Sequence, residues 1–151
     1  MIALLKIDNQ KIAEEILHVQ LPAYGVEANL MNFHDIPPLH DTVDSILGSE
    51  ETFYGYWKEG KLAGVISVEE NKQHLQICRL VVHPAYFRQG IGKQLVQFIF
   101  ETYKHIHRFV VSTGEQNVPA IKLYGTFGFK EFNKIEISAN IFIICLEKIY
   151  S

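Results

Sequence analysis

The chain has 151 residues, of which 48% are apolar, and it carries a formal net charge of −3. A chain of this size buries roughly 70% of its unfolded surface, so we expect one domain over residues 1–151. The acidic balance and the absence of a Lys/Arg run argue against nucleic acid or an anionic membrane as the main partner.

Disulfide-rich and membrane-spanning proteins are also disfavoured. Cys78 and Cys145 lie inside apolar runs, where we expect them to be buried packing residues. The N-terminal segment has no basic region and no small-residue cleavage site, and no window approaches a membrane-spanning length. We therefore expect a cytoplasmic protein.

The chain begins with a predicted strand at residues 3–7. A helix capped by Asp8 or Asn9 is predicted to extend to about Gln20, since apolar residues recur there at helical spacing. Pro22 is expected to end this helix, because proline lacks the amide proton that a helix interior needs.

Residues 23–47 form the least regular part of the chain. Pro37 and Pro38 divide two predicted short helices, and such segments often carry acceptor-binding loops. Three strand candidates joined by polar turns follow and predict an antiparallel meander; they cover residues 52–58, 62–69 and 75–83.

The hydrophobic period changes after Pro84. A long helix is predicted to begin near Gly90, with one buried face formed by Ile91, Leu95, Phe98, Ile99 and Ile106. The remaining elements are a strand at 109–112, a helix at 118–127, and a closing strand pair at 128–137 and 141–147. The order β-α-α-β-β-β-α-β-α-β-β predicts a mixed-sheet α/β fold.

A candidate anion site lies where the strand ending at His83 runs into the helix near Gly90. The first turn of a helix has unpaired N–H groups and the positive end of the macrodipole, so its backbone can hold a diphosphate. Gly90 and Gly92 would allow close approach, and Arg88 and Lys93 could add charged contacts.

Two other phosphate motifs are excluded. No Walker A string occurs, and a dinucleotide fingerprint would need Gly or Ala where this chain has Leu95. Taken alone, the Gly-x-Gly is better explained as a tight strand-to-helix corner.

A second cluster follows at residues 117–129. Asn117 is a good helix N-cap, and Pro119 falls in the first turn, where its missing N–H costs nothing. Ala120 and Tyr124 are predicted to share one helix face, so a small side chain and a phenol would border the same surface.

Together the two clusters resemble the GNAT superfamily of N-acetyltransferases. Its hallmark is Arg/Gln-x-x-Gly-x-Gly/Ala at the start of a central helix, followed by Asn-x-x-Ala-x-x-Leu-Tyr-x-x-x-Gly-Phe. The second pattern is matched at Asn117, Ala120, Leu123, Tyr124, Gly128 and Phe129. The first residue of the first pattern falls on Phe87, which is expected to offer a phosphate only its backbone N–H.

The resemblance implies a splayed central strand pair, with the strand at 75–83 diverging from the strand at 109–112. The cosubstrate would be acetyl-CoA, whose pantetheine amides would pair with the backbone of Leu80, Val81 and Val82. Its diphosphate would meet the amides of Arg88, Gln89, Gly90, Ile91, Gly92 and Lys93. Asn117 and Tyr124 would face the thioester, and no metal is expected.

The implied reaction is direct transfer of the acetyl group to a primary amine of a small molecule or a peptide. Tyr124 would donate a proton to the leaving thiolate, although a core tyrosine is the alternative reading. Many family members place a Glu on the fourth strand, which has none here. The general base is therefore unassigned; neighbouring candidates are Glu69, Glu70, His74 and Glu115, and candidates for acceptor contact are Tyr24, Glu27, Phe33 and Asp35.

Two other functions stay open. The same fold could retain acyl-CoA as a sensor or scaffold without catalysis. A homodimer would be favoured if the final strand pair formed an exposed or exchanged sheet edge.

Overall fold

A mixed sheet of seven strands organises residues 1–150, the part of the chain that the computed structural model describes. The strands are β1 (Ile2–Leu5), β2 (Thr52–Lys58), β3 (Lys61–Glu70), β4 (Leu75–Val82), β5 (Arg108–Gly114), β6 (Lys130–Ser138) and β7 (Ile141–Ile149). The helices are α1 (Gln10–Met31), α2 (Val43–Leu47), α3 (Ile91–Thr102) and α4 (Val118–Thr126). The predicted element order is confirmed.

The sheet order is β1-β2-β3-β4-β5-β7-β6, and β4 and β5 form its one parallel pair among the described residues. Their pairing runs only from Leu75 opposite Phe109 to Ile77 opposite Val111. Beyond Ile77 the two strands separate, and the predicted V in the sheet is present.

A β-bulge lies where β4 leaves β5. Ser67 of β3 is opposite Arg79, but Val68 is opposite Ile77, so Cys78 is an extra residue on β4. A bulge bends its strand and increases the local twist. The bulge therefore directs the second half of β4 away from β5 while β4 stays paired with β3.

Two hydrophobic clusters cover the two faces of the sheet. One packs β-strand side chains such as Ile66 against Leu95, Val96 and Ile99 of α3. The other packs α1 and α2 against side chains that include Val65. Adjacent residues of β3 thus pack into clusters on opposite faces of the sheet, because side chains alternate between the two faces along a strand.

The prediction that Pro22 ends the first helix is wrong. α1 continues for 22 residues to Met31 and ends at Asn32, whose φ of 50° is left-handed. Pro22 is exposed, whereas Ile16 before it and Ala28 after it are fully buried. Burial of one face along the whole helix outweighs the hydrogen bond that proline removes. Within residues 1–150, no helix combines the length and apolarity needed to span a bilayer.

Two further helix boundaries differ from prediction. α2 begins after Thr42, whose side chain and Ser45 form a capping box, so the preceding prolines form only a short 3-10 turn. α3 ends at Thr102 rather than extending to Ile106. Ile106 still packs into the core, because the loop after α3 turns back towards the sheet.

The final strand pair places β6 at an exposed sheet edge. All nine residues of β6 are exposed, including Phe132, Ile135 and Ile137. Register shifts against β7 occur at two points along the strand, which is how edges avoid uncontrolled pairing. The edge that the sequence analysis linked to a homodimer is present, and dimerisation itself stays a prediction.

Candidate active site

A cavity of about 560 Å³ runs through the V between β4 and β5. It is bordered by α1 on one face of the sheet and by the start of α3 and by α4 on the other. Ten of the eleven residues predicted for the site line it: Leu80, Val81, Val82, Arg88, Gly90, Ile91, Gly92, Lys93, Asn117 and Tyr124. Gln89 is not among the lining residues, and its side chain instead accepts a hydrogen bond from Lys58.

The turn before α3 presents backbone amides to this cavity. Arg88 and Gly90 have φ values of 65° and 77°, which turn the chain sharply into the helix. Gly90 is the N-cap and provides no side-chain acceptor, so the N–H groups of Ile91, Gly92 and Lys93 have no intrahelical partner. Together with the helix dipole, these amides form an anion-binding arrangement.

Gly92 keeps the space in front of these amides open. A Cβ atom there would lie 3.5 Å from Leu123 of α4 and 3.9 Å from Val82 of β4. Any longer side chain would project into the gap between α3, α4 and the sheet. Phe87, by contrast, does not offer the amide that we expected, because its N–H donates to the Pro84 carbonyl at 3.3 Å.

The free edge of β4 faces the cavity with alternate residues. The N–H of His83 donates to the carbonyl of Ala63 on β3 at 2.9 Å. Because antiparallel pairing alternates residue by residue, the backbone groups of Val81 also point towards β3, and those of Leu80 and Val82 point into the V. Leu80 and Val82 therefore carry the polar backbone groups available to a ligand.

Tyr124 lines the cavity and is only 4% exposed. Its ring packs edge-on against Phe129, with centroids 5.4 Å apart. Desolvation, and then the charge of Glu27, raises the pKa of Tyr124 far above its ordinary value. The phenol is consequently protonated at neutral pH and able to donate.

Asn117 links α4 to α1. Its side-chain oxygen accepts from the N–H of Ala120 at 3.3 Å and caps α4, as predicted. The carboxylate of Glu27 faces the Asn117 side chain, Thr113 and the Gly114 backbone. Desolvation nevertheless dominates and raises the pKa of Glu27.

These features coincide with a family match. Residues 13–129 match the model of the acetyltransferase (GNAT) family. The chain belongs to the GNAT family. The resemblance inferred from the two motifs is thereby confirmed.

A curated relative is the UPF0157 protein YqkA of Bacillus subtilis, which is 43% identical over 143 residues. The alignment covers 95% of this chain but only 42% of YqkA. For three other curated relatives, two from Bacillus subtilis and one from Escherichia coli, the chain spans 47–62% of their length.

Two solved structures illustrate the shared fold. The ribosomal-protein-S18-alanine N-acetyltransferase of Escherichia coli is 17% identical and has a TM-score of 0.78, covering 97% of this chain and 91% of its own. The PaiA N-acetyltransferase of Thermoplasma acidophilum, in complex with coenzyme A, is 18% identical with a TM-score of 0.75, covering 99% of both chains. At this identity the likeness establishes the fold.

Among the candidates for acceptor contact, Tyr24 and Glu27 line the cavity and Phe33 and Asp35 do not. Asp35 is exposed and pairs with His40 at 3.0 Å. Sequence reasoning missed the proximity of Glu27 to Asn117 and Tyr124. The i, i+3 spacing of Tyr24 and Glu27 on one helix was the available signal, but the expected break at Pro22 obscured it.

The carboxylates and histidine near the motifs in sequence lie away from the cavity. Glu70 pairs with His105 at 2.9 Å and Glu115 with Lys134 at 2.5 Å. The backbone N–H of His74 donates to the side chain of Asn71 in a surface turn. None of these candidates for the general base is a lining residue.

β4 has no Glu, and its Arg79 bonds through the guanidinium to Glu51, Asp41 and Gln20 at 3.0, 2.9 and 2.8 Å. Cys78, which we expected to be buried, is half-buried at the bulge. Desolvation and the charges of Glu51 and Glu69 raise the pKa of its thiol to about 12, which disfavours a nucleophilic thiolate. These two carboxylates and the thiol also lie within 4.8 Å of one another, but Glu51 is already engaged by Arg79.

Proposed function

We propose that this chain binds acetyl-CoA in the cavity and transfers its acetyl group directly to a primary amine within a ternary complex. One observation carries the proposal: the free edge of β4, the first-turn amides of α3 and Tyr124 all line one cavity. The three features match the three parts of the cosubstrate, which are a diamide arm, a diphosphate and a thioester.

The pantetheine arm would pair with the backbone of Leu80 and Val82 as an added strand. The diphosphate would accept hydrogen bonds from the amides between Gly90 and Lys93, with Arg88 and Lys93 adding charge. The absence of a side chain at Gly92 supports this arrangement, because it leaves those amides accessible.

Tyr124 is proposed as the general acid. Collapse of the tetrahedral intermediate would break the C–S bond, and the thiolate would take the phenolic proton. A thiol has an ordinary pKa of about 8.5, and burial in this cavity would raise it together with that of Tyr124. The raised pKa of Cys78 supports direct transfer over an acetyl-cysteine route.

The relatives support an amine acceptor. The Escherichia coli structure of the same fold is an alanine N-acetyltransferase that acts on ribosomal protein S18, and the Thermoplasma acidophilum structure contains coenzyme A. An amine on a protein or peptide is thus one candidate acceptor class beside small amines.

The binding part is tested by thermal unfolding with acetyl-CoA. Ligand at a hundredfold excess over Kd should stabilise the wild type by about 2.7 kcal/mol, a rise in Tm of roughly 5–10 °C. Gly92→Val should abolish this rise. Gly125→Val is the matched control, since it adds the same side chain to a helix where nothing lies within 4 Å. Absence of any shift at millimolar acetyl-CoA would refute the proposal.

The catalytic part is tested by release of free thiol with polyamines, aminoglycosides, amino acids and peptides as acceptors. Tyr124→Phe should lower kcat by about 10²–10⁴-fold and leave the acetyl-CoA shift intact. Binding without thiol release above background would identify a non-catalytic sensor instead. Unchanged turnover of Tyr124→Phe would remove Tyr124 from the mechanism.

A further inference from the structure

A carboxylate with no assigned role lies inside the cavity. Glu27 occupies the second half of α1, three residues after Tyr24, and both line the cavity from the α1 side. The proposed acetyl-CoA contacts on α3 and α4 lie across the sheet from α1. An acceptor that enters from the α1 side would therefore meet Glu27 before it reached the thioester.

The carboxylate of Glu27 faces polar groups from two other elements. They are the Asn117 side chain, Thr113 and the Gly114 backbone. Asn117 caps α4, the helix that carries Tyr124, and Thr113 and Gly114 end β5. The carboxylate and the Tyr124 phenol are thereby brought to the same cavity, which Asn117 also lines.

The other titratable groups that face the cavity come from α1, the turn before α3, α3 and α4, and the lining residues of β4 carry none. They are Tyr24 on α1, Tyr124 on α4, Tyr86 and Arg88 in the turn before α3, and Lys93 on α3. Tyr24, like Tyr124, has its pKa raised by burial and stays neutral. Among these lining groups, Glu27 is the one that can carry a negative charge at neutral pH.

We propose that Glu27 is the general base, and that its carboxylate binds the acceptor as an ammonium and takes its proton. This inference rests on the proposed function. The N–H bond of the ammonium breaks as Glu27 gains the proton, and the neutral amine forms the C–N bond to the thioester carbon. The C–S bond then breaks and Tyr124 protonates the thiolate. The nitrogen passes its second proton back to the Tyr124 phenolate as the amide forms, and Glu27 releases its proton to solvent.

This role also defines the acceptor class. A carboxylate in a desolvated cavity favours a cation, so primary ammonium groups are preferred over alcohols. Desolvation raises the pKa of Glu27, which brings its proton affinity closer to that of an amine, with an ordinary pKa of about 10.4.

The test compares Glu27→Gln, Glu27→Asp and the control Glu14→Gln, which alters an exposed carboxylate of the same helix. With an active amine at pH 7, Glu27→Gln should lower kcat/KM by about 10²–10³-fold, Glu27→Asp should retain part of the activity, and Glu14→Gln should match the wild type. In the wild type, protonation of Glu27 should lower kcat/KM at acidic pH. In Glu27→Gln this loss should disappear, and kcat/KM should rise with pH until the amine itself loses its proton.

Two readouts separate this role from a structural one. Glutamine keeps the size and shape of the glutamate side chain, so the acetyl-CoA shift should persist. Because burial raises the pKa of Glu27, its charge opposes folding above the ordinary carboxyl pKa, and Glu27→Gln should be at least as stable as the wild type at pH 7.

Wild-type activity with an unchanged pH profile in Glu27→Gln would overturn the base assignment alone. Loss of the acetyl-CoA shift or of stability in parallel with activity would also overturn it, in favour of a structural role. Failure of the wild type to release thiol with any amine would overturn the proposed function, and the base assignment with it.

Discussion

Arg79 shows how one buried charge can organise the α1 side of the sheet. Its side chain is 11% exposed and forms ion pairs with Asp41, before α2, and Glu51, before β2. Gln20 of α1 is bonded both to Arg79 and to Asp41, at 2.8 and 2.6 Å. The guanidinium thus ties α1 and two loops to β4, directly beside the bulge that opens the V.

We expect Arg79→Met to destabilise the protein by about 3–5 kcal/mol, because two carboxylates would remain close together without a cation. The control is Arg108→Met, which breaks the half-buried pair with Glu147 and should cost about 1 kcal/mol. Urea unfolding measures both. Similar losses of stability in the two variants would show that the Arg79 network contributes no more than a half-buried ion pair.

At the scale of elements, α1 is central to the proposed site, because its second half brings Tyr24 and Glu27 to the cavity. Pro22 lies between its two halves and removes the hydrogen bond to the His18 carbonyl. The helix persists because residues on both sides are buried. Tertiary packing, and not local propensity, therefore places the proposed base.

Pro22→Ala should stabilise the protein, because the alanine N–H can complete the helix. Helix propensity sets a ceiling of about 3 kcal/mol, from which about 0.4–1 kcal/mol is subtracted for the greater freedom of the unfolded chain. The matched control Pro119→Ala, in the first turn of α4, should bring no gain. Urea titration measures the free energy of unfolding of both variants, and equal effects of the two substitutions would contradict this account.

At the scale of the whole molecule, the sheet consists of two parts joined by a short seam. Strands β1 to β4 meet β5, β7 and β6 through the residue pairs Leu75–Phe109, Gln76–Val110 and Ile77–Val111. Beyond this seam the proposed ligand would fill the V and bridge the two parts. Ligand binding should therefore be visible in backbone protection along β4.

Residue-resolved hydrogen exchange should show an alternating pattern on β4. The amides of Val81 and His83, paired with β3, should be protected without ligand. Those of Leu80 and Val82 should exchange fast and become protected by at least about tenfold when acetyl-CoA is added. Equal protection of all four without ligand, or no change with ligand, would exclude the added-strand mode.

The sequence by itself determined what depends on neighbours along the chain. The element order, the bounds of β2, the start of α3 near Gly90 and the Asn117 cap of α4 follow from hydrophobic period and capping chemistry, which act within a few residues. The two glycines and Tyr124 were singled out by two short motifs, and their proposed roles rest on the family resemblance.

The tertiary structure decided what depends on distant parts of the chain. The continuation of α1 past Pro22 required the burial of its face against the sheet. The place of Glu27 beside Asn117 required α1 and α4 to meet across the V. The register with β3 decided that the backbone groups of Val81 point towards β3 and those of Leu80 and Val82 into the V. Such contacts join residues far apart in sequence, so no local pattern encodes them.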